Sequence, residues 1–200
     1  TLVSGEPGEP YARMAIPYVL SGQIDESGAL QRKTELHYNH QGIDYLNRKA
    51  LKVHAREDGG TVDLDDGSTL AYDRLLVATG STPFVLPVPG KELDGVIAYR
   101  DIADTDAMIE AAATRRHAVV IGAGLLGLEA ANGLALRGMD VTIVHLGAWI
   151  MERQLDKPSA DMLQASLEKK GLSFLLEKQT ESLIAGADGR VSAVRFKSGE

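Results

Sequence analysis

The chain has no cysteine among its 200 residues. That absence excludes disulfides, a redox-active dithiol, a catalytic thiol, and any zinc or iron–sulfur site built on thiolates. Redox chemistry, if the chain takes part in it, has to reside in a bound organic cofactor. An excess of basic charge is missing too. The 21 Lys and Arg stand against 28 Asp and Glu, a formal net charge of −7, so there is no general attraction to nucleic acid or to an anionic membrane. No apolar run is long enough to cross a bilayer. No basic stretch followed by an apolar core marks a secretory signal. A cytoplasmic location is the expectation. Internal repeats and low-complexity segments are also lacking. The remainder is the composition of an ordinary globular chain, 44% hydrophobic and 24% charged, with length for one or two domains and a core.

The most informative stretch is 117–145, HAVVIGAGLLGLEAANGLALRGMDVTIVH. It reads as strand, glycine turn, helix, strand. Gly122, Gly124 and Gly127 stand in G-x-G-x-x-G spacing, with Leu125 and Leu126 between the second and third glycines. The turn lies between the apolar run 118–121 and a helical run 125–136, and a second strand, 141–144, follows. That order is the dinucleotide-binding fingerprint. The first glycine permits the tight turn, the second lets a pyrophosphate approach bare backbone, and the third lets helix and strand pack closely. The helix N-terminus offers unpaired N–H groups and partial positive charge to phosphates.

Elsewhere the pattern is that of a mixed α/β chain. Residues 1–4 read as the end of a strand. Pro7, Gly8, Pro10 and Pro17 predict a loop rather than a long helix. Short strand-like runs occupy 43–55. The Asp66–Gly67 signal between 61–64 and 69–71 predicts a hairpin, and the acidic group Asp63, Asp65 and Asp66 reads as its solvated turn, because the spacing does not fit a calcium loop. A short buried-type strand is expected at 74–78, ending in Thr79 and Gly80, followed by a rigid connection rich in proline (Pro83, Pro87, Pro89). Asp104 is a candidate cap for a helix over 105–113, with Met108, Ile109 and Ala112 on one face. Beyond the fingerprint, a helix is expected over 158–170 with Gly171 as its stop, a strand over 173–176, and a hairpin turning at Asp188–Gly189. Residues 196–200 resemble the turn after a strand. His37 and His40 read as an exposed pair rather than metal ligands, and no metal site is expected. Trp149 reads as core or domain-interface packing rather than a stacking platform.

Four stretches carry a family resemblance: EPGEPYAR (6–13), YDRLLVATGS (72–81), VIGAGLLGLEA (120–130), and VHL (144–146) continuing to MERQLD (151–156). Through them almost the whole chain resembles the pyridine-nucleotide-dependent flavoprotein reductases, and within these the N-terminal module of the NAD(P)H-dependent nitrite reductase large subunit. The resemblance implies an α/β fold of two Rossmann-like units, FAD- and NAD(P)-binding, as in the glutathione-reductase-like flavoproteins, both truncated in this sequence. Residues 1–112 would be a partial FAD domain and 113–200 the NAD(P)H domain, incomplete at its C-terminal end. Arg13 would lie near FAD phosphate or adenine, Glu6 near its ribose, and Thr79 and Gly80 close to the FAD. Glu129 would face the nicotinamide carboxamide.

The departures from the family matter as well. The family's first G-x-G-x-x-G, which belongs to a βαβ unit of about 30 residues, does not occur here. The sequence therefore reads as an internal fragment that binds FAD weakly or not at all. The disulfide-reducing members are excluded because their cysteines are missing. The acidic residue expected about 20 positions past the glycines is replaced by His145, 18 residues beyond Gly127. A protonated His145, with Arg153, would suit a 2′-phosphate, and Glu152 would equally supply the missing acceptor, so NADH and NADPH both stay open.

The expected function is hydride transfer from NADH or NADPH to FAD, with electrons passed to iron–sulfur and sirohaem centres in the rest of the parent polypeptide, ending in reduction of nitrite to ammonia. The alternatives are a nucleotide-binding module without chemistry and another ferredoxin- or rubredoxin-reductase-type flavoprotein. A short-chain dehydrogenase ranks low, because no tyrosine follows Tyr99 to form its Tyr-x-x-x-Lys pair. Homo-oligomers are expected where apolar faces lack partner strands.

Overall fold

The computed structural model describes residues 1–31 and 37–199, so the expected C-terminal turn at 196–200 is described except for Glu200. In chain order the elements are β1 (Leu2–Ser4), α1 (Ile16–Leu20), α2 (Glu26–Ala29), α3 (His37–His40), β2 (Tyr45–Asn47), β3 (Ala50–Arg56), β4 (Gly59–Leu64), β5 (Thr69–Tyr72), α4 (Ile102–Thr114), β6 (His117–Ile121), α5 (Leu125–Leu136), β7 (Asp140–Val144), α6 (Lys157–Glu168), β8 (Ser173–Leu175), β9 (Thr180–Ala185) and β10 (Val191–Phe196). They gather into two compact units, Thr1–Ala12 with Leu30–Ser81, and Arg13–Ala29 with Thr82–Glu200.

In the first unit β1 pairs in parallel with β2. Strands β3, β4 and β5 form an antiparallel meander, with the Asp66–Gly67 turn where the sequence predicts it. Asp66 there accepts hydrogen bonds from the Ser68 amide and hydroxyl and from Arg48 Nε at 2.8 Å. These hold its carboxyl well below the usual range, the Ser68 hydroxyl first among them. The expected strand at 74–78 is absent. Residues 74–81 are irregular and exposed. No neighbouring strand among the described residues offers this apolar run a ladder, and β-type sequence does not hold strand geometry without one.

The second unit is built on the parallel sheet β6–β7–β8. Ile143 pairs with Val120 on one side and Phe174 on the other and is fully buried. Helix α5 crosses from β6 to β7 and packs on β7 through Leu128, Ala131 and Leu134 of the core. Its small residues admit α1: a Cβ on Gly133 would stand 2.6 Å from Leu20 Cγ, and Leu20 is fully buried. Arg137, just past α5, donates to the carbonyls of Val19 (3.1 Å) and Leu20, satisfying acceptors that the end of α1 leaves open. Pro17, expected only to break structure, sits instead in the first turn of α1, where its missing N–H costs nothing.

Helix α4 begins three residues earlier than expected. Its cap is Asp101, whose carboxylate accepts from the Asp104 amide at 2.9 Å while Asp104 returns a bond to the cap backbone, so Asp104 is the far half of a capping box. Helix α6 is capped by Asp156. The β9–β10 hairpin is tied to the proline-rich connection by the Leu183 amide donating to Pro89 O at 2.8 Å and by an Asp94–Arg190 ion pair. Trp149 packs against the core and donates to Leu155 O.

Candidate functional site

The glycine turn forms as the spacing requires. Gly122 has φ +115°, in the region where L side chains are strained, and its amide still reaches Val144 O at 2.8 Å, extending the ladder by one residue. Gly127 is demanded by packing, since a Cβ there would lie 1.9 Å from the Gly122 carbonyl oxygen. Gly124 differs from both. Its φ is −82°, and a Cβ on it would meet nothing within 4 Å. Internal packing therefore does not require glycine at 124, and the bare backbone there leaves room for close approach by something outside the chain.

Gly124 is also the N-cap of α5, with no side-chain cap and no acidic residue in the first turn. The amides at the helix start are thus neither capped nor neutralised, which suits an anion. Leu125 and Leu126 are exposed beside them.

Beyond β7 lies His145, mostly buried. Its Nδ1 accepts from the Ala123 amide at 3.3 Å, so the ring proton resides on Nε2, which donates to Glu152 Oε2 at 2.8 Å. The Ala123 carbonyl in turn accepts from the Met151 amide at 2.9 Å, and Met151 adopts φ +54°. Burial pushes the Glu152 carboxyl up, but its own backbone amide, the His145 hydrogen bond and the Arg153 charge outweigh that and hold it below the usual range. The sequence offers both residues but not their pairing. The connection between β7 and α6 folds back on the glycine turn through a left-handed residue that no local pattern marks.

Inside the same unit is a second recess, lined by Arg13, Pro17, Tyr99, Arg100, Leu126 and Glu129. Arg13 Nη1 donates to Arg100 O at 2.9 Å. Burial raises the Glu129 carboxyl. Burial, and then the charge of Glu129, raises the Tyr99 phenol, whose buried hydroxyl finds no hydrogen-bond partner among the described residues. Sequence reasoning names Arg13 and Glu129 separately and misses Tyr99 and Arg100. The recess brings them together, because α1 and the start of α4 both pack near α5. Glu6, Thr79 and Gly80 belong to the first unit. Glu6 accepts from the Tyr11 hydroxyl at 2.8 Å, and Thr79 and Gly80 are exposed, with Gly80 at φ +70°.

The turn, helix and parallel strands have their counterpart among known proteins. The model of the pyridine nucleotide-disulphide oxidoreductase family matches residues 1–200. The chain belongs to this family.

Within the pyridine nucleotide-disulphide oxidoreductases it is 44% identical over 199 residues to nitrite reductase [NAD(P)H] of Bacillus subtilis (strain 168), covering 100% of this chain and 24% of the relative. It is 41% identical over 198 residues to the assimilatory nitrate reductase electron transfer subunit of the same organism, covering 99% of this chain and 25% of that one. The chain thus spans about a quarter of the length of these curated relatives. Its fold matches the ferredoxin reductase for the CYP199A2 system from Rhodopseudomonas palustris with TM-score 0.90, at 23% identity, over 99% of this chain and 48% of that one.

The fold class is therefore the α/β, FAD- and NAD(P)-binding class of this oxidoreductase family. Among the described residues no helix is long and apolar enough to cross a membrane.

Proposed function

We propose that the chain supplies the nicotinamide-nucleotide site, and part of the FAD domain, of a reductase that moves hydride from NADH or NADPH to FAD. Electrons then pass to iron–sulfur and sirohaem centres elsewhere in the parent polypeptide and reduce nitrite to ammonia. The observation that carries the reading is the start of α5. It combines a G-x-G-x-x-G turn, an uncapped and acid-free helix N-terminus, and a Gly124 that internal packing does not require. The likeness to nitrite reductase [NAD(P)H] supports the choice of acceptor, and the likeness to an electron transfer subunit supports onward electron transfer.

In this reading 113–200 is the NAD(P)H domain and 1–112 the partial FAD domain, and the parent works in the cytoplasm. The α5 amides and Gly124 hold the pyrophosphate. Leu125 and Leu126 cover it, and Glu129 meets the nicotinamide carboxamide. Arg13, Glu6, Thr79 and Gly80 serve the FAD. Bound FAD supplies the step from a two-electron hydride to single-electron transfer. The side chains orient the nucleotide and exclude water, and none of them acts as acid or base in the hydride step.

Titration with NADH and NADPH, with and without added FAD, tests the reading. Binding of a nicotinamide nucleotide, low flavin content after purification, and weak ferricyanide reduction that depends on added FAD are expected. Failure to bind either nucleotide overturns the nucleotide site. Stoichiometric yellow flavin retained through purification overturns the partial FAD domain. Nucleotide binding with no turnover when FAD is supplied would favour a non-catalytic binding module instead.

A further inference from the structure

In a dinucleotide-binding unit an acidic side chain about 20 residues past the glycines accepts the hydroxyls of the adenosine ribose. Here the end of β7 presents His145, and an imidazole carries no fixed negative charge. The contacts around it change what that position offers. The Ala123 amide donates to His145 Nδ1, which leaves Nε2 as the protonated nitrogen and aims it at Glu152 Oε2, 2.8 Å away. The Met151 amide anchors the preceding residue to Ala123 O. One residue of the glycine turn thus fixes both partners. The His145 side chain is 11% exposed and that of Glu152 is 41% exposed, so the imidazole is a buried strut and the carboxylate is the group that solvent and ligand meet.

We propose that Glu152, held in place by His145, is the ribose-diol acceptor of this site and makes the chain select NADH over NADPH. The assignment rests on the nucleotide-binding reading above and adds the discrimination. A carboxylate accepts both hydroxyls of a free diol, whereas a 2′-phosphate meets like charge and removes the donor the carboxylate needs. His145 cannot reverse that preference. Its Nδ1 is committed as an acceptor and its Nε2–H is already donated to Glu152, so it offers no N–H to a phosphate. Arg153 is the one cation adjacent to Glu152 in sequence, and it strengthens the ionised form of Glu152.

The test uses ADP-ribose and its 2′-phosphorylated form alongside NADH and NADPH, so that the adenosine end is read without the nicotinamide. Affinities are measured by calorimetry on the parent chain, Glu152→Gln and His145→Ala, with thermal melts to establish folding. The parent chain is expected to bind each unphosphorylated ligand at least about tenfold more tightly than its 2′-phosphorylated counterpart, the worth of one charge-assisted hydrogen bond. Glu152→Gln should weaken NADH and ADP-ribose about tenfold, leave the phosphorylated pair within about threefold, and bring both ratios near one.

His145→Ala should move the ratio the same way by less. Nitrogen-15 shifts should report His145 as the Nε2–H tautomer in the free chain. An Nδ1–H ring, a parent chain that prefers the phosphorylated ligands or binds both alike, or a Glu152→Gln loss equal for both classes overturns the assignment. Absence of binding by all four ligands overturns the nucleotide reading and this assignment with it.

Discussion

The carbonyl oxygen of Gly122 occupies the space a side chain at Gly127 would need, 1.9 Å from where its Cβ would stand. That contact closes the β6 turn onto the first turn of α5, and it separates two glycines that look equivalent in the sequence.

Replacing Gly127 with alanine should therefore damage the fold itself. A forced shift of the turn costs about 1–3 kcal/mol, read as a lower midpoint in urea unfolding. Gly124→Ala meets only open space and ordinary φ, so its cost should stay near or below about 1 kcal/mol, chiefly from a poorer N-cap. Nucleotide affinity should nevertheless fall more than about tenfold if a pyrophosphate passes over that residue. A Gly124→Ala chain that binds nucleotide as the parent does would show that no ligand needs bare backbone at 124.

The seat of α1 on α5 is a second point of sensitivity. Leu20 is fully buried against Gly133. Leu20→Ala should cost about 2–5 kcal/mol by transfer and cavity terms. Gly133→Ala should cost about 1–3 kcal/mol by overpacking. Amide exchange would show whether the effect is centred there: protection of 16–20 should drop first in Gly133→Ala, and a uniform loss across the chain would contradict that.

Glu129 gives a pH signature with a defined sign. Burial raises its folded-state pKa, so the ionised form is less favourable in the fold than in the unfolded chain. The penalty is absent below the ordinary glutamate range, grows as pH rises through it, and is complete above the folded value. Glu129→Gln should then be more stable than the parent near pH 7, and the gap should close towards about pH 4. Urea melts at both pH values measure it, and a parent chain more stable than Glu129→Gln at neutral pH would contradict the burial argument.

The run Leu75, Leu76 and Val77 is exposed on irregular backbone, Leu76 by 87%. Contiguous exposed apolar residues favour association. Sedimentation of the parent chain should show concentration-dependent oligomers, reduced in Leu76→Ser with Val77→Ser. Equal behaviour of the two chains would place the association surface elsewhere.

Much of the second unit is legible in the sequence. The β6–α5–β7 order follows from apolar runs, glycine spacing and helical periodicity, all within 29 residues. Local turn chemistry likewise marks both hairpins and α6. The strand expected at 74–78 does not form, because a strand needs a neighbour and apolar composition alone cannot supply one. The start of α4 is displaced because two aspartates compete as caps, and the reciprocal capping box favours Asp101. Tyr99 carries no motif, and only the packing of the start of α4 near α5 brings it beside Glu129.

By itself the sequence determined the glycine turn, its helix and its parallel strands, since each is specified by contacts a few residues apart. It also determined the absence of thiol chemistry, which composition alone settles. The tertiary structure decided that Gly127 serves packing while Gly124 faces open space, that His145 is a strut for Glu152, and that Arg13, Tyr99 and Glu129 share one recess. Those relations depend on which distant backbone groups arrive at a side chain. That arrival is set by burial of Ile143, Leu20 and their neighbours, and spacing along the chain does not record it.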